Sequence, residues 1–423
     1  MPQAPSQTGF YREDVGKAHA LVCDGVPLTA IAAAEGTPLY VYSAAAVRRR
    51  YRDIDEAFGD YPHTLHYALK ANSTLAIARL LRELGSAVDA NSVWEIEVAQ
   101  RAGFDPSQIV FTGVGKSPDE LERAVALGVK AINVESAGEL ARLEAIATRL
   151  GRVVRVAVRV NPDIDAKSHP HISTGLKINK FGVPLDDARA LVQTLGHRPA
   201  LKLVAIHVHV GSQITTIDPL RRAAAVAADV SLELQRQGVP LEYVDLGGGL
   251  GVSYDGAEVP SAAEYVGALV GEVRRTSLPI VLEPGRSVAA PAGALLARVI
   301  DVKPRTAASD FIIIDAGMTE LIRPALYGAF HRIEPVSGPP AGDHHYEIVG
   351  PVCESSDVVG RDRMLPALAA GDLVAIRDAG AYGSVMASNY NRRPLPAEVL
   401  VDGGTWRVIR RRQTVDDQLA LEE

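Results

Sequence analysis

The chain has only two cysteines in 423 residues, Cys23 and Cys353. Two are too few for a disulfide framework, and a reducing cytoplasm is the compartment this composition implies. No apolar run reaches the roughly 18 residues that a membrane-spanning helix needs. The opening stretch MPQAPSQTGFYRED carries neither the basic nor the apolar region of a secretion signal. Excess positive charge is missing too: the formal net charge is −7, so no broad basic surface awaits nucleic acid. Repeats, low-complexity tracts and long linkers are absent. What is there is a globular balance, with 47% apolar and 22% charged residues. The length exceeds one ordinary core, which predicts two domains.

Along the chain, Pro27 to Glu35 reads as a short helix closed by Gly36, and Pro38 to Tyr42 as a strand. Apolar strand candidates then alternate with amphipathic segments. They are Thr64–Leu69, Ser86–Val88, Gln108–Thr112, Lys130–Val134, Val153–Val160, Leu203–Val210, Glu242–Leu246 and Pro279–Leu282. Eight strand–helix units in about 250 residues fit a (β/α)8 TIM-like barrel. A doubly wound open sheet is the competitor, with fewer strands expected. After Arg286 the candidates Leu295–Val302, Asp310–Ile314, His345–Val349 and Leu373–Arg377 lack long helices between them. Val399–Val401 and Thr405–Ile409 flank Asp402-Gly403-Gly404, a hairpin signal. The expected division is an α/β barrel over 36–286 and a separate, mostly β-barrel domain from 1–35 with 287–423.

Active sites of TIM-like barrels sit at the carboxyl ends of the strands. The first candidate strand lies in HYALKAN and is closed by Lys70, with Asn72 and Ser73 expected to cap the helix LAIARLLREL. A lysine there is costly to bury as a cation, and desolvation frees its lone pair for nucleophilic use. The bland alternative is a lysine snorkelling to solvent. The other strand ends are Asp89, Thr112-Gly113, Glu135, Asn161, His209, Gly247–Gly249 and Glu283-Pro284-Gly285-Arg286. In many such barrels the loops after strands seven and eight hold a phosphate. Here those loops read GGGLG and EPGR. The glycines expose backbone N–H groups, and arginine adds a bidentate cation.

A phosphate cup, a strand-end lysine and an acid at Glu283 match the needs of pyridoxal 5′-phosphate. That cofactor takes a lysine, phosphate donors and a carboxylate for its pyridine nitrogen. Glu283 also reads as a plain barrel-mouth ion pair. His209 is placed to lie flat against a ring, or is a packed strand histidine. Ser212 is a candidate phosphate or ring-side donor, and Asp89 a partner for Lys70. A rival reading takes His207 and His209, two apart on a strand, as metal ligands of a hydrolase, with His63, His66, His169 and His171 as further ligands. A hydrolase would not need GGG and EPGR together.

HYALKAN, HVHVGSQI, DLGGGLG, LEPGR, LIRPALYGAFH, GPVCESSD and GAYGSVMASNYN together resemble the fold-type III pyridoxal-phosphate-dependent decarboxylases, from about residue 36 to about residue 402. Within that family they are most similar to the members that act on diaminopimelate. The resemblance implies Lys70 as the cofactor-bearing lysine, His209 against the ring and Glu283 at the pyridine nitrogen. It implies Gly248, Gly249, Gly285, Arg286 and Tyr382 around phosphate and substrate. It further implies a homodimer with shared active sites, in which Cys353 and Glu354 reach the partner's site. The implied reaction turns meso-2,6-diaminopimelate into L-lysine and carbon dioxide, with no resident metal.

The substrate assignment leans on fewer residues. Arg323 and Tyr327 are four apart, hence on one face of a helix, and with Arg286 resemble the family's distal-carboxylate binders. Glu354 resembles the residue that takes the distal ammonium. The bland reading of Arg323 is an exposed arginine at a helix end. One departure stands out. Where the family commonly has serine, two glycines and glutamate, this chain has Ser92-Val93-Trp94-Glu95. The bulk of Val93 and Trp94 leaves room for a relative acting on another or a modified amino acid. A racemase of the same cofactor class would lack the CESSD motif, and a catalytically silent binding relative would have lost the lysine or the phosphate cup.

Overall fold

The computed structural model describes residues 8–15, 18–165, 174–175, 179–305 and 309–422. Lys167, His169, His171 and Lys177 lie outside them. The chain forms two compact units, Tyr51–Val252 with Glu258–Ser287, and Met1–Arg50 with Ser253–Ala257 and Val288–Glu423.

The first unit is a closed parallel barrel. Its strands are His63–Ala68, Ala87–Ala90, Ile109–Phe111, Ala131–Val134, Val154–Asn161, Leu201–Val208, Tyr243–Asp245 and Ile280–Leu282. Each pairs in parallel with the next, and the eighth closes on the first through Ile280 opposite His63. All eight candidate segments became strands. Most of their residues are buried on both faces, as strands wrapped by helices need to be. The helices start where the sequence offers caps. Ser92, Ser117, Ser136 and Ser261 each accept the amide of a glutamate three residues on. Gly103 and Gly128 end two of these helices in the left-handed conformation that a side chain resists.

The second unit is β-rich. Its main sheet runs Val358–Leu365, His344–Val349, Asp310–Ile314, Gly293–Lys303, Leu39–Ser43, Ala397–Asp402, Thr405–Arg410. The hairpin across Asp402-Gly403-Gly404 is present. Phe10–Val15, Ala18–Cys23 and Val26–Pro27 add a small antiparallel sheet ahead of the helix Leu28–Glu35. Phe10, Leu21, Leu28, Ile31, Leu39, Val41, Leu296 and Val399 share one core.

The division expected at residue 36 is corrected. Leu39–Ser43, five buried residues in a row, lies between Gly293–Lys303 and Ala397–Asp402 and pairs with both. A continuous apolar run says that a strand is central, not which sheet holds it. Ser253–Ala257 also falls in the β-rich unit, although it stands between the seventh and eighth barrel strands in sequence.

Candidate active site

In the barrel unit, the first strand stops at Ala68 and Lys70 sits in a single 3-10 turn, Leu69–Ala71. That corrects the expected strand end by one residue. The cap is corrected too: Thr74 is the N-cap residue, and Asn72 Oδ1 instead accepts from the Thr74 amide at 3.0 Å and hydroxyl at 2.6 Å. The Tyr67 hydroxyl donates to the Asn72 carbonyl at 3.1 Å. The turn carrying Lys70 is thus tied from both sides.

Lys70 Nζ donates to Asp89 Oδ2 at 3.1 Å. Asp89 is fully buried at the end of the second strand. Asn91, which the sequence reading left without a role, donates from its side-chain amide to both Asp89 oxygens at 3.2 and 3.1 Å. Its own amide N–H goes to Glu95 Oε2 at 2.6 Å. Burial pushes the Glu95 carboxyl up to about 7. Trp94 is 72% exposed, so its bulk points away from the interior of its own unit.

The two strand-spaced histidines part company. The sixth strand ends at Val208, and His209 lies past it. His209 Nδ1 accepts the Gly248 amide at 3.1 Å, so in the neutral ring the proton is on Nε2. Burial first, then the Lys70 cation, hold His209 well below the usual imidazole range. Gly248 therefore spends its N–H on His209. His207 instead joins Asp245 and Glu283, with ligand-type atoms of all three within 4.8 Å of one another. His207 Nε2 is 3.6 Å from Glu283 Oε2.

The acids at this end are driven apart. Burial alone would raise Glu283, but His207, Lys70 and His209 outweigh it and hold the carboxyl well below its ordinary value. Asp245 is raised well above its ordinary value by burial and by the Glu283 charge. The two neighbouring carboxyls are thus pushed in opposite directions, Asp245 toward the protonated form and Glu283 toward the anion, as a crowded pair tends to be. Asp89 is also raised, by burial and Glu283, against the pull of Lys70. His63 opens the first strand and His66 stands mid-strand, both apart from this group. His66 Nε2 meets Lys130 Nζ at 2.9 Å, and His63 stacks on Phe58.

After the eighth strand, Arg286 is buried and donates to the Ser212 hydroxyl through Nε at 3.2 Å and Nη2 at 3.1 Å. Gly249 and Gly285 hold close approaches. A Cβ on Gly249 would stand 2.8 Å from the Gly211 carbonyl, and one on Gly285 3.0 Å from the Ala71 side chain.

The β-rich unit holds the remaining candidates. Arg323 and Tyr327 begin and end one helical turn, Arg323–Tyr327. Arg323 is 4% exposed, against the bland reading of a surface arginine. Cys353 and Glu354 are exposed on the loop between His344–Val349 and Val358–Leu365. Glu354 accepts from the Tyr390 hydroxyl at 3.2 Å. Asp357 ties the base of that loop by accepting the amides of Met318 and Val352. Tyr382 has φ +55°, a left-handed conformation costly for an aromatic residue and often kept at functional positions.

Residues 44–290 match the pyridoxal-binding domain of the pyridoxal-dependent decarboxylases. The chain belongs to that family. Among its relatives is the diaminopimelate decarboxylase of Pseudomonas aeruginosa, 45% identical over 95% of this chain and 96% of that one. The enzyme of the same name from Neisseria meningitidis serogroup A is 44% identical, over 95% of this chain and 98% of its own. Of solved structures, the diaminopimelate decarboxylase of Helicobacter pylori complexed with L-lysine superposes with a TM-score of 0.90 at 40% identity, covering 93% of this chain and 99% of that chain. The M. jannaschii enzyme in co-complex with L-lysine gives 0.92 at 36% identity, with 98% of each chain covered.

The residues present fit the cofactor of this pyridoxal-dependent family. Glu283 Oε1 is a buried acceptor with no hydrogen-bond donor among the described residues. A buried anionic oxygen of that kind wants a donor, and a protonated pyridine nitrogen is one. A lysine, the histidine His209 and an arginine–serine pair for phosphate belong to the same unit.

Proposed function

We propose that the chain decarboxylates meso-2,6-diaminopimelate to L-lysine and carbon dioxide, as a cytoplasmic homodimer with shared active sites. The observation that carries the substrate is Arg323, a buried cation one helical turn from Tyr327. A substrate with a carboxylate at both ends needs a cation at the far one, whereas a mono-carboxylate substrate does not. The relatives and the lysine-bound solved structures support the same choice.

Lys70 is the residue that holds pyridoxal phosphate, and bound there the cofactor supplies an electron sink for the charge left at Cα when carbon dioxide departs. Asp89 keeps the Lys70 amine oriented, and Asn91 keeps Asp89 oriented. Glu283 holds the proton on the pyridine nitrogen, its charge sustained by His207. His209, held by the Gly248 amide and with burial favouring its neutral form, would pack against the cofactor ring. Arg286, Ser212, Gly249 and Gly285 would hold the phosphate, and Tyr382 is the residue of the β-rich unit proposed to serve the same cofactor. Gly248 shapes that loop through His209. At the far end of the substrate Arg323 and Tyr327 take the carboxylate and Glu354 the ammonium. Cys353 from a second copy, or Lys70, returns the proton to Cα. Trp94, being exposed, gives no support to a reshaped pocket.

Release of carbon dioxide from diaminopimelate, lysine, ornithine and arginine, measured side by side, tests the proposal. Diaminopimelate is expected to be turned over far ahead of the rest, and preference for any other sinks it. Losing one side of a buried arginine–carboxylate pair costs about 2–5 kcal/mol. Arg323→Ala should therefore damage diaminopimelate turnover by roughly 30-fold or more while barely touching trace decarboxylation of lysine. Equal losses on both would make Arg323 structural. Glu283→Gln keeps the shape but not the charge. A loss of roughly 10²–10³ in kcat is expected, the scale for a preorganised electrostatic group. Cofactor content, measured after alkaline release, should stay near one per chain. A kcat within a few-fold of wild type would refute the pyridine role.

A further inference from the structure

Arg323 is a long, entropy-rich side chain, and a helical turn of five residues fixes its Cα but not its guanidinium. Two other side chains of the β-rich unit do that. Arg323 Nη1 lies 2.7 Å from His331 Nε2. His331 Nδ1 lies 2.8 Å from the Arg377 carbonyl oxygen. A carbonyl only accepts and a guanidinium only donates, so the imidazole carries its proton on Nδ1 and presents a bare Nε2 to the arginine. His331 is fully buried, and Arg377, whose carbonyl anchors it, is buried as well. The Tyr254 ring lies under the guanidinium, 4.6 Å from its central carbon, and meets the His331 ring edge-on with centroids 5.2 Å apart.

We infer that His331 and Tyr254 are positioning residues that set the specificity of the site, by fixing the Arg323 guanidinium to receive the distal carboxylate of the substrate. This rests on the function proposed above. His331 takes one N–H in a defined direction, and Tyr254 supplies the face on which the guanidinium plane rests. The arrangement explains why Ser253–Ala257 belongs to the β-rich unit: its tyrosine is part of the arginine's seat. A guanidinium so seated keeps its planar fork aimed, which a carboxylate rewards and an uncharged end does not.

The chemistry supplies a clean pair of probes. Removing carbon dioxide from one end of diaminopimelate leaves lysine, whose surviving carboxylate is the distal one. 1,5-Diaminopentane has the same length and neither carboxylate. Binding of both to the cofactor-loaded enzyme is measured by calorimetry for the wild type, His331→Leu, His331→Gln, Tyr254→Leu and Arg323→Ala. Outer partners of a binding group typically contribute about 10–100-fold. His331→Leu is expected to weaken L-lysine by about that factor and to raise KM for diaminopimelate to match, with kcat within about threefold. Binding of 1,5-diaminopentane should stay within about twofold. His331→Gln, which can accept from Arg323 and donate to the Arg377 carbonyl, should recover most of the loss. Tyr254→Leu should move the same ratio, and it carries the test if the His331→Leu chain does not fold. Equal weakening of both probes, or a glutamine no better than leucine, overturns the inference. If Arg323→Ala itself fails to separate the two probes, the distal-carboxylate reading falls first. If Arg323→Ala separates them and neither His331→Leu nor Tyr254→Leu does, only the positioning role is lost.

Discussion

Lys70→Ala should leave a folded protein with at least a 10³-fold loss of carbon dioxide release, the scale expected when a covalent nucleophile is removed. Among the described residues of the barrel unit, three buried or half-buried lysines compete for the role, and their surroundings separate them. Lys116 Nζ is locked by three acceptors, the Gly113 and Asn133 carbonyls and Glu139 Oε1, at 2.6, 2.7 and 2.6 Å. An amine tethered by three acceptors at once is not free to turn toward a cofactor. Lys130 is the better rival, since burial pushes its pKa down. It stands, however, immediately before the strand Ala131–Val134, at the amino end of the barrel, where its ammonium meets His66. Catalysis in this fold belongs to the other end. Among the described lysines, only Lys70 combines the carboxyl end, a buried carboxylate partner and access, with a third of its side chain exposed. Borohydride reduction of the cofactor-loaded protein followed by peptide mapping should mark residue 70. A mark on Lys116, Lys130 or any other lysine would move the cofactor and overturn the assignment.

The barrel was readable because most strands are largely apolar, because four of the helices begin at a serine cap with a glutamate three residues on, and because polar residues collect at one end of the strands. Lys70, Asp89, His209, Glu283 and Arg286 could all be singled out as polar residues ending apolar runs. Asn91 could not. It looks like any loop asparagine, and its value lies in a fork of hydrogen bonds to Asp89 two residues away. His207 and His209 show the limit of period-two reasoning. Their spacing implies one shared direction, but the strand ends between them, so one turns to Glu283 and the other to Gly248. The strand Val358–Leu365 was missed because its charged residues Arg361, Asp362 and Arg363 interrupt the apolar pattern, as edge strands often do. Leu39–Ser43 reads as a strand but falls outside the barrel domain expected over 36–286, since partners some 250 and 350 residues away leave no local trace.

Mixing two dead variants, Lys70→Ala and Cys353→Ala, should bring activity back to about a quarter of the wild-type sites. The reasoning starts from where Cys353 stands. The alternative is a small buried apolar cysteine packed in its own domain, and Cys23 is that kind of residue, its thiol pushed up by burial. Cys353 is exposed, and so are Glu354, Ser355 and Ser356 beside it. The loop is nevertheless not loose at its base. Buried Asp357 grips the Val352 amide at 2.8 Å, and Gly317 and Gly350 crowd its carboxylate so closely that a Cβ at either would lie 2.5 or 2.3 Å away. A rigid loop that displays a thiol and a carboxylate outward suits a contact with a second copy. In a two-fold dimer that contact occurs twice, once at each site. Suppose each site takes Lys70 from one chain and Cys353 from the other. In a mixed dimer one site then carries both lesions and the other neither. Random pairing makes about half of all dimers mixed, so about one site in four is intact. Sites built from a single chain would give no recovery at any ratio, because every site would keep one lesion. The measurement is carbon dioxide release against mixing ratio after co-refolding, with mixed dimers counted by native mass spectrometry. Activity that stays at zero while mixed dimers are present would show that Cys353 serves its own chain or none.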